Sequence, residues 1–288
     1  MKYSNPIIPE GINTSQTHPL REFFLLTGGV IGIVAIAALV LGLLADRLAH
    51  HIPFEVEQTF ANTRLLSETS SGPMQSYLDS LTQRIVAAQN LPSDITITMH
   101  YIDDDTVNAF ATLGGHVYVF RGLLEKLPNE NAVAMVLAHE IAHIKHRHPI
   151  RTLGRGITIG LALSMVSSSL GDAIVDRIVG NTGMLTALSF SRDQERESDD
   201  TALDTLMALY GNVAGADQLF EALQSTQGAP EMVEFFSTHP LSKNRLNRIH
   251  VFNNKLALSK TDTVITPLPA DFDSWLSLKD ETESGGSE

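Results

Sequence analysis

His139-Glu140-Ile141-Ala142-His143 sits inside the run Asn131 to His148 and decides how the rest of the chain is read. Around it, Val133, Val136, Leu137, Ile141 and Ile144 recur at steps of three and four, the spacing of one helical face. Pro128-Asn129 precedes the run and Pro149 follows it, a start and a stop signal. Residues four apart lie one turn above another on a helix, so His139 and His143 present their rings to the same point. Glu140 projects from nearly the same side. Two histidines at this spacing suit one zinc ion, and the glutamate suits the general base that takes a proton from metal-activated water.

A catalytic zinc needs a third protein ligand. A third histidine in the pattern HExxHxxGxxH is excluded, because His146 stands at the glycine position and Pro149 at the histidine position. A glutamate on a second helix is the other common solution. The stretch Ser191-Arg192-Asp193-Gln194-Glu195-Arg196-Glu197-Ser198-Asp199 offers one. Glu195 and Asp199 are four apart, so Glu195 can complete the metal shell while Asp199 accepts a hydrogen bond from the outer nitrogen of a ligand histidine. The competing reading is an exposed charged face, and it accounts well for Arg192, Arg196, Glu197 and Asp200. Ser191 and Gln194 form a capping box and Gly211 closes the helix after Tyr210. His146 and His148 are read either as cations favouring a helix C-terminus or as part of a second metal site.

Upstream, Phe23 to Ala45 runs 23 residues without a charge. As a helix it would rise about 34 Å, enough for a bilayer core of about 30 Å. The expected organisation is an N-terminal arm (1–22), a transmembrane anchor in contact with lipid (23–45), a catalytic domain (46–258) and an acidic, flexible tail (259–288). Within that tail Phe272, Trp275 and Leu276 are candidates to dock. The flanking charges Lys2, Arg21, Arg47 and Arg64 choose weakly between orientations; the expectation is a single-pass protein with its catalytic domain on the extracytoplasmic side. The apolar run 156–170 is read as a helix on the membrane surface, a core helix or a second crossing.

The fold class expected is α+β and mostly helical. Pro73 to Gln89 shows helical spacing, and Ile95 to Ile102 alternates as a strand. Asp103-Asp104-Asp105 makes a turn. Asn108-Ala109-Phe110-Ala111 and His116 to Phe120 form a hairpin turning at Gly114-Gly115. Asn212 is expected to open a helix reaching Ser225, Gly180 to Gly183 to form a loop, and Ser242 to Leu256 to form a further helix.

With a net charge of -13 and no long basic cluster, the chain is a poor partner for nucleic acid. It has no cysteine, which excludes disulfides and thiolate ligands or nucleophiles.

Taken together, HExxH with Lys145-His146-Arg147-His148-Pro149, then Ser191-Arg192 with Glu195 and Asp199, then Thr238-His239-Pro240 resembles the HtpX-like membrane-associated zinc peptidases of metallopeptidase family forty-eight. Asn108-Ala109-Phe110-Ala111 and Arg121-Gly122-Leu123-Leu124 are similar to that family too; Leu113 departs from it, standing where many relatives have proline. The resemblance implies a zincin (gluzincin) core, in which the HExxH and glutamate helices pack on a small sheet. It implies one zinc per chain on His139, His143 and Glu195, with Glu140 as base and Asp199 behind a ligand histidine. By the same resemblance His239 stands near the metal, as an electrophilic helper or a resting-state ligand, and Arg245 supports its turn. Asn108, Ala109, Phe110 and Ala111 would offer an edge strand to an extended peptide. The implied activity is endoproteolysis of misfolded or unassembled membrane or envelope proteins. The competing class is a membrane-anchored chaperone or binding protein with weak or no catalysis and a zinc site.

Overall fold

A computed structural model of the chain describes residues 19–49, 51–61, 72–164, 189–218, 239, 245, 247–249, 251–252 and 264–277. Among them the architecture is mostly helical with one small sheet. Helix α1 (Pro19–Ala49) carries the apolar run, and its residues Leu20–Ala49 are long and apolar enough to cross a membrane. Its last turn leaves that run and docks on the rest of the chain. Asp46 faces Arg155 at 3.0 Å and Arg151 at 3.6 Å. Ala49 packs with Leu113 and Ile150. Helix α2 (Phe54–Phe60) follows, and then α3 (Pro73–Gln89), whose buried stripe of Met74, Leu78, Leu81 and Ile85 has the expected helical spacing.

Three strands form the sheet, β1 (Thr98–Ile102), β2 (Ala109–Ala111) and β3 (His116–Phe120), in the order β1-β3-β2. β1 runs parallel to β3, and β2 runs antiparallel to it. The hairpin turn uses Gly114 and Gly115 at φ 76° and 85°, the left-handed region that glycine tolerates. A Cβ on Gly115 would lie 1.9 Å from the Thr96 carbonyl oxygen, so the turn also needs glycine for space.

A short helix, α4 (Arg121–Leu124), leads to α5 (Glu130–Lys145), the HExxH helix. Asn129 caps α5, its side chain accepting from the Ala132 amide at 3.0 Å. Every residue from Glu130 to Ile144 is buried, between the sheet on one side and α3 and α7 (Arg192–Tyr210) on the other. Full burial of each Leu, Val or Ile here contributes about 1.5–3 kcal/mol, which is why this helix is the axis of the domain.

The helix does not run to Pro149 as its spacing suggests. It ends at Lys145, Arg147 takes a left-handed φ of 59°, and α6 (His148–Ser164) begins at once. Pro149 therefore opens a helix instead of ending one, which its missing N–H allows at a first turn. Buried Arg147 is held there by Glu57 of α2 at 2.6 Å and the Ile52 carbonyl at 2.8 Å. Helix α7 starts on the Ser191–Gln194 capping box and stops at Gly211, φ 70°. Residues 214–217 then form turns where the sequence suggests a helix from Asn212.

The flexible tail expected over 259–288 needs correction over 264–277. Asn131 accepts from the Thr266 amide at 2.9 Å, the Glu130 amide donates to the Thr266 carbonyl at 3.0 Å, and Asn212 donates to the Val264 carbonyl at 3.1 Å. Helix α8 (Phe272–Ser277) then buries Phe272 against Tyr77. These backbone groups and the aromatic ring have partners on the domain, so the segment packs. Most of the N-terminal arm, the apolar run beyond Ser164, the loop at Gly180 and the remainder of the helix to Ser225 lie outside the described residues. Of the stretch 242–256, Arg245, 247–249 and 251–252 are described and are helical.

Candidate metal centre

α5, α7 and the residue at position 239 converge on one buried point. His139, His143, Glu195 and His239 each offer a donor atom, all within 4.8 Å of one another, and together they could hold a metal ion. His139 Nε2 and His143 Nε2 are 3.0 Å apart, as the i, i+4 spacing requires. Glu195 approaches both at 3.5 Å. His239 Nδ1 lies 3.1 Å from Glu195 Oε1, and its Nε2 lies 3.3 Å from Glu140 Oε1. His239 thus stands between the two glutamates.

Glu140 is fully buried, and neither carboxylate oxygen has a hydrogen-bond partner. Burial pushes its carboxyl up, against the pull of His239 and His139. An acid so placed holds or takes a proton readily. Burial opposes the charge of Glu195 as well, yet His239 and His139 hold that carboxyl well below its usual range. A buried set of imidazoles with one carboxylate held in its ionised form suits zinc, and the Glu140 oxygens beside it fit a proton acceptor for water at the metal.

The outer nitrogen of His139, Nδ1, faces Asp199 Oδ1 at 3.0 Å. Burial opposes a charge on His139, but Asp199 and Glu195 more than offset it and raise the imidazole to about 10. The physical content is a negative potential that draws a cation to this ring. Arg245 joins the two acids of α7. Its Nε and Nη2 bond Asp199 at 2.7 Å each, and its Nη1 reaches Glu195 at 2.6 Å. This buried guanidinium sets the spacing of the two acids and holds the Asp199 carboxyl low against burial. The i, i+4 rule points to the two acids but does not show that one arginine joins them.

His143 is gripped differently. The Phe190 ring stacks on it at 3.9 Å between centroids, and its Nδ1 meets His148 Nδ1 at 2.9 Å. Burial and the neighbouring His139 keep the His143 imidazole neutral, well below its ordinary range. Phe190, His148 and Glu197 escape the sequence reading as parts of this site. The usable signal was a buried-type aromatic directly before the Ser191 cap.

The candidate substrate segment lies beside Glu140. β2 is an edge of the sheet, and the Ala111 amide flanks the Glu140 carboxylate, lowering it slightly without a hydrogen bond of normal length. Ala109, Phe110 and Ala111 are all buried. The Asn108 carbonyl accepts from the Phe120 amide at 3.1 Å, and its side-chain Oδ1 is buried without a partner.

Comparison with known proteins gives the same region. The model of Peptidase family M48 matches residues 74–252. The mitochondrial metalloendopeptidase OMA1 of Schizosaccharomyces pombe is 32% identical over 179 residues, 62% of this chain and 52% of that protein. The beta-barrel assembly-enhancing protease of Escherichia coli is 29% identical over 185 residues, 59% of this chain and 37% of that protein. The OMA1 metalloendopeptidase of Danio rerio is 27% identical over 200 residues, 62% of this chain and 41% of that protein. The chain spans about half or less of the length of these relatives.

Proposed function

Because the chain belongs to peptidase family M48, we propose that it is a membrane-anchored zinc endopeptidase. The observation that carries this reading is the buried group of His139, His143, Glu195 and His239 with the unbonded Glu140 carboxylate at its side. In it His139, His143 and Glu195 would hold zinc, with Asp199 and Arg245 behind them. Zinc, when bound, acidifies a water and stabilises negative charge on the scissile carbonyl oxygen. Glu140 would take the proton of the attacking water and deliver it to the leaving amine nitrogen as the C–N bond breaks. His239, which at rest lies 3.3 Å from Glu140 Oε1, would move aside for substrate and donate a hydrogen bond to the developing oxyanion.

The substrate is an extended protein segment that adds to the edge of β2, its main chain making most of the bonds. The burial of Ala109–Ala111 and the position of His239 both favour a closed resting state, so cleavage begins with an opening. Substrates of this kind are misfolded or unassembled membrane or envelope proteins, met where α1 holds the domain against the bilayer on its extracytoplasmic side.

The test is digestion of unfolded casein by the purified full chain, alone, after chelation, and after zinc is returned. Cleavage that stops with chelator and recovers with zinc is expected. Glu140→Gln should keep its metal and lose cleavage roughly a thousandfold. Undiminished cleavage by Glu140→Gln would sink the mechanism. A metal-bound parent that cleaves nothing but suppresses aggregation would favour the chaperone reading instead.

A further inference from the structure

His143 has its inner nitrogen in the metal group and its outer nitrogen on another imidazole. His143 Nδ1 and His148 Nδ1 lie 2.9 Å apart, with both rings fully buried. Two imidazole nitrogens can bond at that distance only if one carries hydrogen and the other does not. The far side of His148 decides which. There Nε2 meets Glu197 Oε2 at 3.0 Å. A carboxylate only accepts, so His148 carries its hydrogen on Nε2 and presents a lone pair at Nδ1. His143 must therefore donate from Nδ1. That leaves its Nε2, the atom facing His139 at 3.0 Å, as a lone pair ready for a metal. The opposite tautomer would put hydrogen on Nε2 and block binding.

Glu197 is well placed for this. Its Oε1 faces His146 Nδ1 at 3.3 Å and its Oε2 lies 3.8 Å from Arg151 Nη1. Its carboxylate is thus steered by basic groups on the turn after α5 and on α6. The side chain remains half exposed, 47%. His146, His148 and Glu197 do not themselves form a metal group, since among the described residues the one such group is that at His139.

We propose that Glu197 and His148 are positioning residues for the metal, a carboxylate–imidazole relay that fixes the tautomer and ring plane of His143. The inference rests on the reading of His143 as a ligand. Asp199 does the same for His139 in one step, and the relay does it in two.

The test measures zinc and cobalt affinity of the full chain in detergent, by competition with a chromophoric chelator, beside the cobalt absorption spectrum and the melting temperature of the metal-free protein. His148→Phe should weaken binding about 10- to 100-fold and alter the cobalt band. His148→Gln should restore most of the loss, because its amide accepts through oxygen and donates through nitrogen. Glu197→Leu, at a half-exposed position, should leave the fold intact and weaken binding roughly tenfold. If His148→Phe does not fold, Glu197→Leu decides. Glu197→Leu and any folded His148→Phe binding within about twofold of the parent would overturn the relay. So would Phe and Gln lowering the melting temperature equally with an unchanged cobalt spectrum. A parent that binds neither metal would overturn the zinc-site reading, and this inference with it.

Discussion

His139 and His143 bring their Nε2 atoms to 3.0 Å on α5, while His100 and His116 bring Nε2 and Nδ1 to 2.9 Å on the neighbouring strands β1 and β3. By distance alone, the strand pair is as close a histidine cluster as the helix pair. Their surroundings separate them. Around the helix pair stand Glu195, Asp199 and Glu140, with Arg245 holding the first two. Around the strand pair stand rings: Tyr118 stacks on His100 at 4.6 Å, and Phe110 stacks on Tyr118 at 5.0 Å. The consequence is opposite electrostatics. Carboxylates raise His139 to about 10, whereas burial and the neighbouring His116 lower His100 to about 4. Two close imidazoles therefore do not make a metal centre. Acids aimed at them make the helix pair a candidate for one, because they supply the potential that offsets taking a cation out of water.

The sharpest way to break this contrast is to disturb the acids. Arg245→Leu leaves Asp199 and Glu195 buried without their shared cation. The metal-free protein should lose about 3–5 kcal/mol, read from urea unfolding. An unchanged midpoint would mean that the two acids are not ionised together. Glu195→Gln keeps the shape of the site and removes the charge. Metal affinity by chelator competition should fall more than about a hundredfold, since losing an outer partner alone costs 10- to 100-fold. A smaller loss would place His239, not Glu195, as the third ligand.

Much of this was legible along the chain, and the limits have a geometric cause. Local periodicity is enough to place His139, Glu140 and His143 together, and the same i, i+4 rule pairs Glu195 with Asp199. His239 comes only through family resemblance, since no local pattern ties it to α5. The His148–Glu197 relay is not legible locally, because the sequence pattern reads as one helix continuous to His148. On an unbroken helix, His148 would sit about 140° around the axis from His143 and point elsewhere. The left-handed Arg147 swings it back, and what stabilises that conformation is Glu57, 90 residues earlier in the chain. Glu197, for its part, shares its stretch with Arg192, Arg196 and Asp200, and so reads as solvent-facing charge. The tail is legible only in part: its aromatic residues Phe272 and Trp275 mark the docking against Tyr77, while composition hides the backbone contacts of Val264 and Thr266 with Asn212 and Asn131.

The strand pair sharpens the comparison from the other side, with a smaller effect of definite sign. His100 is lowered to about 4 in the folded protein, against an ordinary value near 6.5. Between those values the unfolded chain binds the extra proton and the folded one does not. The stabilisation from a neutral His100 is thus fully present above about pH 6.5 and is lost as pH falls towards 4. His116 is lowered as well, and its proximity adds to the shift at His100. The expected loss is on the order of 2 kcal/mol between pH 7 and pH 4.5. Acid also protonates carboxylates elsewhere, so the informative quantity is a difference. Urea unfolding of the parent and of His100→Phe at both pH values should show a smaller acid loss in the variant, which keeps an aromatic ring against Tyr118 but cannot take up a proton. Equal acid losses would mean that the strand pair shares a proton in the folded state, and the contrast with His139 and His143 would then be one of partners and not of charge.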